Sequence, residues 1–461
     1  MLKGLEITEI KLSEVKKVSG DLRIEAEHFQ KKYFDLKKKL SRHNCVRLAE
    51  LVSKPIQTGH TPSMKNERFY GGNIKFIKTD NLRDNDIKFP FSHYLSELGN
   101  SEIRRTELQE NDIITTIIGA TYDVIARSCI IHKEILPANI NQNIAHIRPN
   151  TKKIIPEYLN MYLNSKYGKM YLEYLSRQME QVNLNCEEVG NVLVPLFSTD
   201  FQKKIESLVK SAHTKLSESK SLYAEAEDIL LSELGLKDWQ PKNEAVSIKT
   251  FSDFASSGRL DAEYYQSKYD EIEAKIKAVP FKTIAELQVF NARGVQPDYI
   301  SNGTVPVVNS KHILENGLDY DNFEKTTTVF LKQNGRATIK ENDILIYTTG
   351  ANIGRAQPYL ISDLAVASNH VNILRLKEVN PIYAALVLNS KIGRLQTEKL
   401  CTGSAQAELY PSDIEKFLIP ILPQEIQKKI AELIQTSFAL RQESKQLLES
   451  AKLAVEAEIE R

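Results

Sequence analysis

The chain of 461 residues repeats itself, and that duplication limits its fold more than any single segment does. Arg23-Ile24-Glu25-Ala26-Glu27-His28-Phe29 returns as Arg259-Leu260-Asp261-Ala262-Glu263-Tyr264-Tyr265, and Leu48-Ala49-Glu50-Leu51 returns as Ile284-Ala285-Glu286-Leu287, both offset by 236 positions. Further on, Glu110-Asn111-Asp112-Ile113-Ile114 matches Glu341-Asn342-Asp343-Ile344-Leu345 at 231, and both runs continue to a Gly-Ala pair at Gly119-Ala120 and Gly350-Ala351. Tyr158, Asn164-Ser165-Lys166, Pro195 and Gln202-Lys203-Lys204-Ile205 match Tyr383, Asn389-Ser390-Lys391, Pro420 and Gln427-Lys428-Lys429-Ile430 at 225. The drifting offset puts insertions and deletions inside each copy. Two tandem domains of one design follow, as the length also suggests. Residues on which the copies agree serve scaffold or assembly; residues on which they differ are free to read separate things.

Each copy is mixed in character. Ile74–Thr79, Ile113–Ile118, Val305–Val308 and Ile344–Thr348 are short apolar or β-branched runs bounded by Gly, Asn and Asp, the pattern of strands. Residues 157–175 and 382–400 carry apolar side chains at helical spacing. Each copy closes on Val194-Pro195-Leu196 or Ile419-Pro420-Ile421, followed by a long polar stretch rich in Glu and Lys. Thr199 with Gln202 is spaced for a capping box, and no proline interrupts the run to Gly235. Ile205, Leu208, Ala212, Leu222, Ala226 and Ile229 define an a/d-like seam, with Ile430, Leu433, Leu440, Leu447, Ala451 and Ala454 in the second copy; Ser219 and Ser444 occupy equivalent seam positions. Helices on the order of 55 Å need a partner. Antiparallel pairing of the two with each other, a pseudo-twofold dumbbell, is the economical arrangement, and a partner subunit's helix is the competing one. The expected divisions are 1–197, a spacer helix 198–236, 237–422, and a second spacer helix 423–461.

Composition narrows the function classes. Sixty-one Lys plus Arg against 60 Asp plus Glu give a net charge of +1, so any polyanion must be held by local patches. No apolar run approaches a membrane span, and Met1–Glu6 lacks a signal peptide's apolar stretch, so the chain is read as soluble and cytoplasmic, with no membrane partner. The four cysteines are dispersed without a C-x-x-C pair, against a disulfide framework or a cysteine zinc site. Phosphate-binding glycine loops, H-E-x-x-H and G-x-S-x-G are absent from the sequence. Asn380-Pro381-Ile382-Tyr383 is similar to the catalytic motif of amino-methyltransferases, but the first copy has Ile155-Pro156-Glu157-Tyr158 in register, which reads as a helix start. Pro297-Asp298 has only Glu443-Ser444-Lys445 as a later D/E-x-K triplet, on the terminal helix, which makes no nuclease site. The chain reads as non-catalytic, with no metal and no cofactor of its own.

A binding apparatus remains. Between Lys54 and Arg83 six basic residues (Lys54, Lys65, Arg68, Lys75, Lys78, Arg83) face two acidic ones (Glu67, Asp80), interleaved with Phe69, Tyr70 and Phe76. That suits a loop and strand lying along phosphates, and equally a solvated basic face. Asn141-Gln142-Asn143, Ser368-Asn369-His370 and Gln406 carry groups that can pair with base edges or cap turns.

In order along the chain these pieces resemble the specificity subunit of type I restriction–modification systems. The resemblance rests on Arg259–Tyr265, Gly59-His60-Thr61-Pro62-Ser63, Gly71-Gly72-Asn73-Ile74-Lys75-Phe76-Ile77, Asn342–Leu345 with Ile353-Gly354, Asn141-Gln142, and Gly403-Ser404-Ala405-Gln406 before Leu409. The closing motif is present twice, at 194–205 and 419–430. The copies depart from it at Gln178-Met179-Glu180-Gln181, at Tyr122-Asp123-Val124 and at Arg293-Gly294-Val295-Gln296-Pro297. The resemblance implies an α+β chain of two mixed α/β target-recognition domains on paired spacer helices. It implies recognition of double-stranded DNA at a bipartite gapped site. It also implies two copies of a DNA adenine-N6 methyltransferase subunit and restriction motor-nuclease subunits as partners, with S-adenosylmethionine, ATP and Mg used in those partners. Motif position and side-chain type make Thr61, Lys65, Lys78, Asn141, Gln142, Asn143 and Gln181 the candidate DNA contacts of the first domain. Arg293, Gln296, Lys311, Arg355, Asn369, His370, Ser404 and Gln406 are those of the second. A coiled-coil protein–protein adaptor and a degenerate recognition subunit without DNA specificity are the rival readings.

Overall fold

A computed structural model of the chain describes residues 12–13, 26–122, 124–178, 182–241, 246–403 and 407–461. It divides into two compact units, Met1–Thr214 with Glu443–Arg461, and Lys215–Gln442. The first unit has a four-stranded antiparallel sheet in the order Gln57–Thr58, Ile144–Ile147, Ile113–Thr116, Ser128–Ile130. A three-stranded sheet pairs Ala138–Ile140 in parallel with Tyr70–Ile77, and Tyr70–Ile77 with Tyr94–Leu95. The second unit repeats the plan. Gln288–Arg293, Val371–Leu376, Ile344–Tyr347 and Ala356–Pro358 form one sheet. Glu324–Thr326, Val305–Val308, Ala365–Ala367 and Thr338–Ile339 form the other.

The repeated motifs are explained by local structure. Asn111 and Asn342 both sit in the left-handed region, at φ 70° and 71°, a conformation Asn tolerates. The aspartate that follows closes the turn. Asp112 accepts from the Gln109 amide at 2.7 Å and from Arg148 at 2.7 Å on each oxygen, and Asp343 accepts from the Lys340 amide and from Arg375 at 2.7 and 2.8 Å. In the first unit His146 adds a contact to Asp112 at 2.7 Å, while the matching position of the second unit is the apolar Ile373. Burial holds His146 below its ordinary 6.5, outweighing the pull of Asp112, so the ring is neutral.

The helical runs expected at 157–175 and 382–400 are each two helices, Pro156–Asn164 with Lys166–Leu175 and Pro381–Asn389 with Lys391–Leu400. The shared Asn-Ser-Lys motif is the corner between them. Ser165 and Ser390 are extended, and their hydroxyls accept from the amides of Gly168 and Ile392, ending one helix while capping the next. Helical periodicity alone could not reveal the corner, because apolar spacing continues across it.

The long helices span Thr199–Glu233 and Gln424–Glu460. At the first, the Ser198 hydroxyl, rather than Thr199, accepts from the Phe201 amide. Gln202 turns inward, accepting from the Ile155 amide and donating to Phe197 O, both at 3.0 Å; Gln427 does the same with Asn380 and Leu422 at 3.0 and 2.8 Å. The repeated glutamine therefore fastens a helix to the body of its own unit. In the first unit Ile205 and Val209 share a core with Ala451, Val455 and Ile459. In the second, Ala226 and Leu230 share one with Ile430, Ala431 and Ile434, and the Ser437 hydroxyl donates to Ser219 O at 2.7 Å.

The buried line on each helix departs in part from the seam read in the sequence. On the first helix it runs Ile205, Val209, Ala212, Ser219, Ala226, Leu230, and on the second Ile430, Ile434, Ser437, Ser444, Ala451, Val455. These keep the 3- and 4-residue steps of a heptad seam. Leu208, Ile229, Leu433 and Ala454 lie beside it, partly buried. Ile205, Ala212, Ser219, Ala226, Ile430, Ser444 and Ala451 are buried as read, and the register departs by one residue at Val209, Leu230, Ile434 and Val455, where two apolar neighbours compete for one seam position.

Candidate nucleic-acid interface

Eight of the fifteen candidate residues gather at one corner of each unit, where the chain crosses from one sheet to the other. In the first unit Ala138–Ile140 leads through Asn141-Gln142-Asn143 into Ile144–Ile147. Asn141 is buried, and its carboxamide accepts from the Asn143 amide at 3.2 Å, an Asx turn. The amide of Asn141 donates to Ile77 O at 3.2 Å, and Asn143 O accepts from the Ile117 amide at 3.0 Å, tying the turn to both sheets. Gln142 is left exposed at the tip, with Asn143 half-buried. The Gly59 backbone lies against the turn so closely that a Cβ there would sit 1.9 Å from Ile140 O. Two residues on, the Thr61 hydroxyl donates to Gln142 Oε1. The sequence motif is thus a strap over the amide turn, with glycine required by close approach.

The second unit builds the same corner from different side chains. Ala365–Ala367 leads through Ser368-Asn369-His370 into Val371–Leu376. Gly294 takes the place of Gly59, with a Cβ position 2.1 Å from Ala367 O, and the His370 carbonyl accepts from the Thr348 amide at 3.1 Å as Asn143 does from Ile117. Asn369 and His370 are exposed side by side, Nδ2 to Nε2 3.4 Å. A third segment flanks each corner: the Leu184 amide donates to Ile117 O and the Leu409 amide to Thr348 O, both at 2.9 Å. Gln296 is exposed beside the second corner, its amide donating to Pro297 O at 3.2 Å. Arg293 lies over Tyr410 at 4.5 Å and donates through Nη2 to Leu409 O at 3.0 Å.

Of the remaining candidates, Lys78, Lys311 and Arg355 have partners of their own. Lys78 Nζ lies 2.8 Å from His93 Nδ1; His93 is held below its ordinary value by burial and then by the Lys78 charge, so the neutral ring accepts from the ammonium. Lys311 pairs with Glu324. Arg355 donates to Ile313 O at 3.3 Å and to Asn352 Oδ1 at 2.9 Å, and burial lowers its pKa. Lys65 is exposed on the loop after Thr61. Within the basic run, Lys54, Lys75 and Arg83 donate to backbone carbonyls, which leaves Lys65 and Arg68 as its exposed cations. Gln181, Ser404 and Gln406 lie outside the described residues. Glu408 and Tyr410, beside that last segment, were not singled out by the sequence; they flank Leu409, which was.

Among the described residues no group of three His, Cys, Asp or Glu side chains is arranged to hold a metal ion, and no helix is long and apolar enough to cross a membrane. Residues 281–450 match the family described as type I restriction modification DNA specificity domain. Over that region the chain is similar to type I restriction–modification specificity subunits. The family match lies in the second copy, and the internal repeat extends the same design to the first. Related specificity subunits include that of the type I restriction enzyme EcoBI from Escherichia coli, 29% identical over 132 residues, covering 29% of this chain and 27% of that one. Another is the HindI specificity subunit from Haemophilus influenzae, 27% identical over 184 residues, covering 39% and 38%. The aligned region therefore spans about a quarter to two fifths of these relatives' own length. Among solved structures, the type I S subunit from M. genitalium aligns over 90% of this chain and 95% of that chain at 11% identity and a TM-score of 0.42. The HsdS subunit from Thermoanaerobacter tengcongensis aligns over 90% and 96% at 15% identity and a TM-score of 0.30.

Proposed function

We propose that this chain is the DNA-recognition subunit of a type I restriction–modification complex, reading a bipartite gapped site in double-stranded DNA. The observation that carries the reading is the corner built twice. One backbone scaffold, a glycine strap over a polar turn, presents Thr61, Gln142 and Asn143 in one unit and Gln296, Asn369 and His370 in the other. Amide and imidazole groups on such a turn can pair with base edges in the major groove, and different side chains on equal scaffolds read different half-sites. The long helices pair antiparallel along their length as a spacer between the half-sites and as the docking surface for two DNA adenine-N6 methyltransferase subunits, which restriction motor-nuclease subunits join. Catalysis, with S-adenosylmethionine, ATP and Mg, belongs to those partners in the cytoplasm. A base must leave the duplex for methylation, so the recognition subunit's share of the chemistry is to hold the duplex in register.

The experiment is sequencing of genomic DNA for N6-methyladenine in cells co-expressing this chain and its methyltransferase, against methyltransferase alone. One gapped bipartite motif that depends on this chain is expected. A soluble co-purifying complex that adds no methylated motif would instead favour an adaptor or a degenerate recognition subunit.

A further inference from the structure

The two corners differ in charge in a coupled way. In the second unit Arg293 stands immediately before the strap glycine, where the first unit has Thr58 before Gly59. Glu408 immediately precedes Leu409, where the first unit has Asn183 before Leu184. Glu408 forms isolated bridges with Thr349 and Thr402, which sets it at the edge of the corner. An arginine and a carboxylate therefore occur together in one copy, and neither occurs in the other.

Their geometry is that of a held but incompletely satisfied guanidinium. Arg293 Nη1 lies 3.7 Å from Glu408 Oε2, beyond hydrogen-bond range but within ion-pair range. The Tyr410 ring supports the guanidinium plane at 4.5 Å, and the Tyr410 hydroxyl donates to the same Glu408 carboxylate. One nitrogen, Nη2, is engaged with Leu409 O, while Nε is buried without a hydrogen-bond partner among the described residues. A carboxylate on a surface that meets phosphates opposes binding unless it does something local. Here it restrains a partly exposed arginine in one plane, with Nη1 and the second hydrogen of Nη2 uncommitted among the described residues, the pair of donors that bidentate recognition of guanine O6 and N7 needs.

We infer that Arg293 reads a guanine in the half-site of the second unit and that Glu408, with Tyr410, is the positioning residue that fixes the orientation of its guanidinium. This rests on the proposed DNA-recognition function and adds to it a specificity determinant absent from the first unit.

The test is the methylated motif of the full complex in cells, compared between the wild-type chain, Glu408→Gln and Arg293→Lys. The wild-type motif is the control: without one, the recognition function itself fails. With one, both variants are expected to relax the same single guanine position of one half-site to two or more bases, leaving the other half-site unchanged. Lysine keeps the charge but loses the fork, and glutamine keeps the shape but loses the restraint. Wild-type motifs from both variants would overturn the inference, as would uniform weakening of methylation at an unchanged motif. Should Glu408→Gln lower the urea midpoint of Trp239 fluorescence, Arg293→Lys alone decides the guanine assignment, and Glu408→Asp, which restores the carboxylate, decides the positioning role by recovering the motif or failing to.

Discussion

Replacing Ile434 by alanine distinguishes the helix seam seen in the structure from the one suggested by the sequence. Ile434 is 2% exposed and sits in the second unit's core with Ala226, Leu230 and Ile430. Leu433, one position earlier and nominally on the sequence seam, is only partly buried beside that core. Truncating isoleucine to alanine removes three carbons, about 2.4 kcal/mol of transfer free energy at ~0.8 kcal/mol each, and the residual cavity raises this to about 3 kcal/mol. Leu433→Ala is expected to cost about 1 kcal/mol or less, because its side chain already meets solvent. Urea unfolding of the full chain followed by Trp239 fluorescence reads the difference, since Trp239 is the only tryptophan and packs on this same core. With an m-value of roughly 2 kcal/mol/M, Ile434→Ala should lower the midpoint by about 1.5 M and Leu433→Ala by about 0.5 M. Equal losses, or a larger one at Leu433, would refute the buried register and with it the claim that Ser437 lies on the seam.

Gly59→Ala and Gly294→Ala place a Cβ about 2 Å from a backbone carbonyl, with nothing flexible to move aside; each should cost about 1–3 kcal/mol and abolish reading of its own half-site, checked by urea midpoints and by the methylated motif. His146→Ile copies the second unit's solution at that position. Because the folded-state pKa of His146 is depressed, its contribution is present above 6.5 and lost as pH falls below that; wild-type melting followed by circular dichroism should weaken as pH falls below about 6.5, and the variant should lose that slope. Tyr158→Phe and Tyr383→Phe remove matched hydrogen bonds to Pro195 O at 2.6 Å and Pro420 O at 2.8 Å; each should destabilise its unit by about 1–2 kcal/mol in thermal melts, and a neutral result at either would show that the carbonyl finds another donor.

Much of the corner was legible in the sequence, because straps and turns are built from contiguous residues whose chemistry is local. Gly59 to Thr61, Asn141 to Asn143 and Ser368 to His370 were each marked as short motifs, and the structure brings each strap onto its turn. What a single segment does not reveal is which polar group points inward. Asn141 and Gln142 are neighbours of similar type, yet one is buried closing the turn and the other is exposed. Lys78, Lys311 and Arg355 satisfied the residue-type criterion, but their partners His93, Glu324 and Asn352 reach them through folding and could not be anticipated from charge counts.

The duplication, the strand and helix classes, the polar turn motifs and the two long helices were determined by the sequence itself, since each depends on periodicity or on residues within one turn of each other. The helix corners at Ser165 and Ser390, the buried register of the long helices, and the meeting of Arg293 with Glu408 were decided only by tertiary structure. Each of these depends on a comparison of energies between distant groups. A serine breaks a helix where the next helix has a core to pack on, a seam is whichever face meets another surface, and an arginine 115 residues from its carboxylate finds it because two strands and a loop end at the same corner.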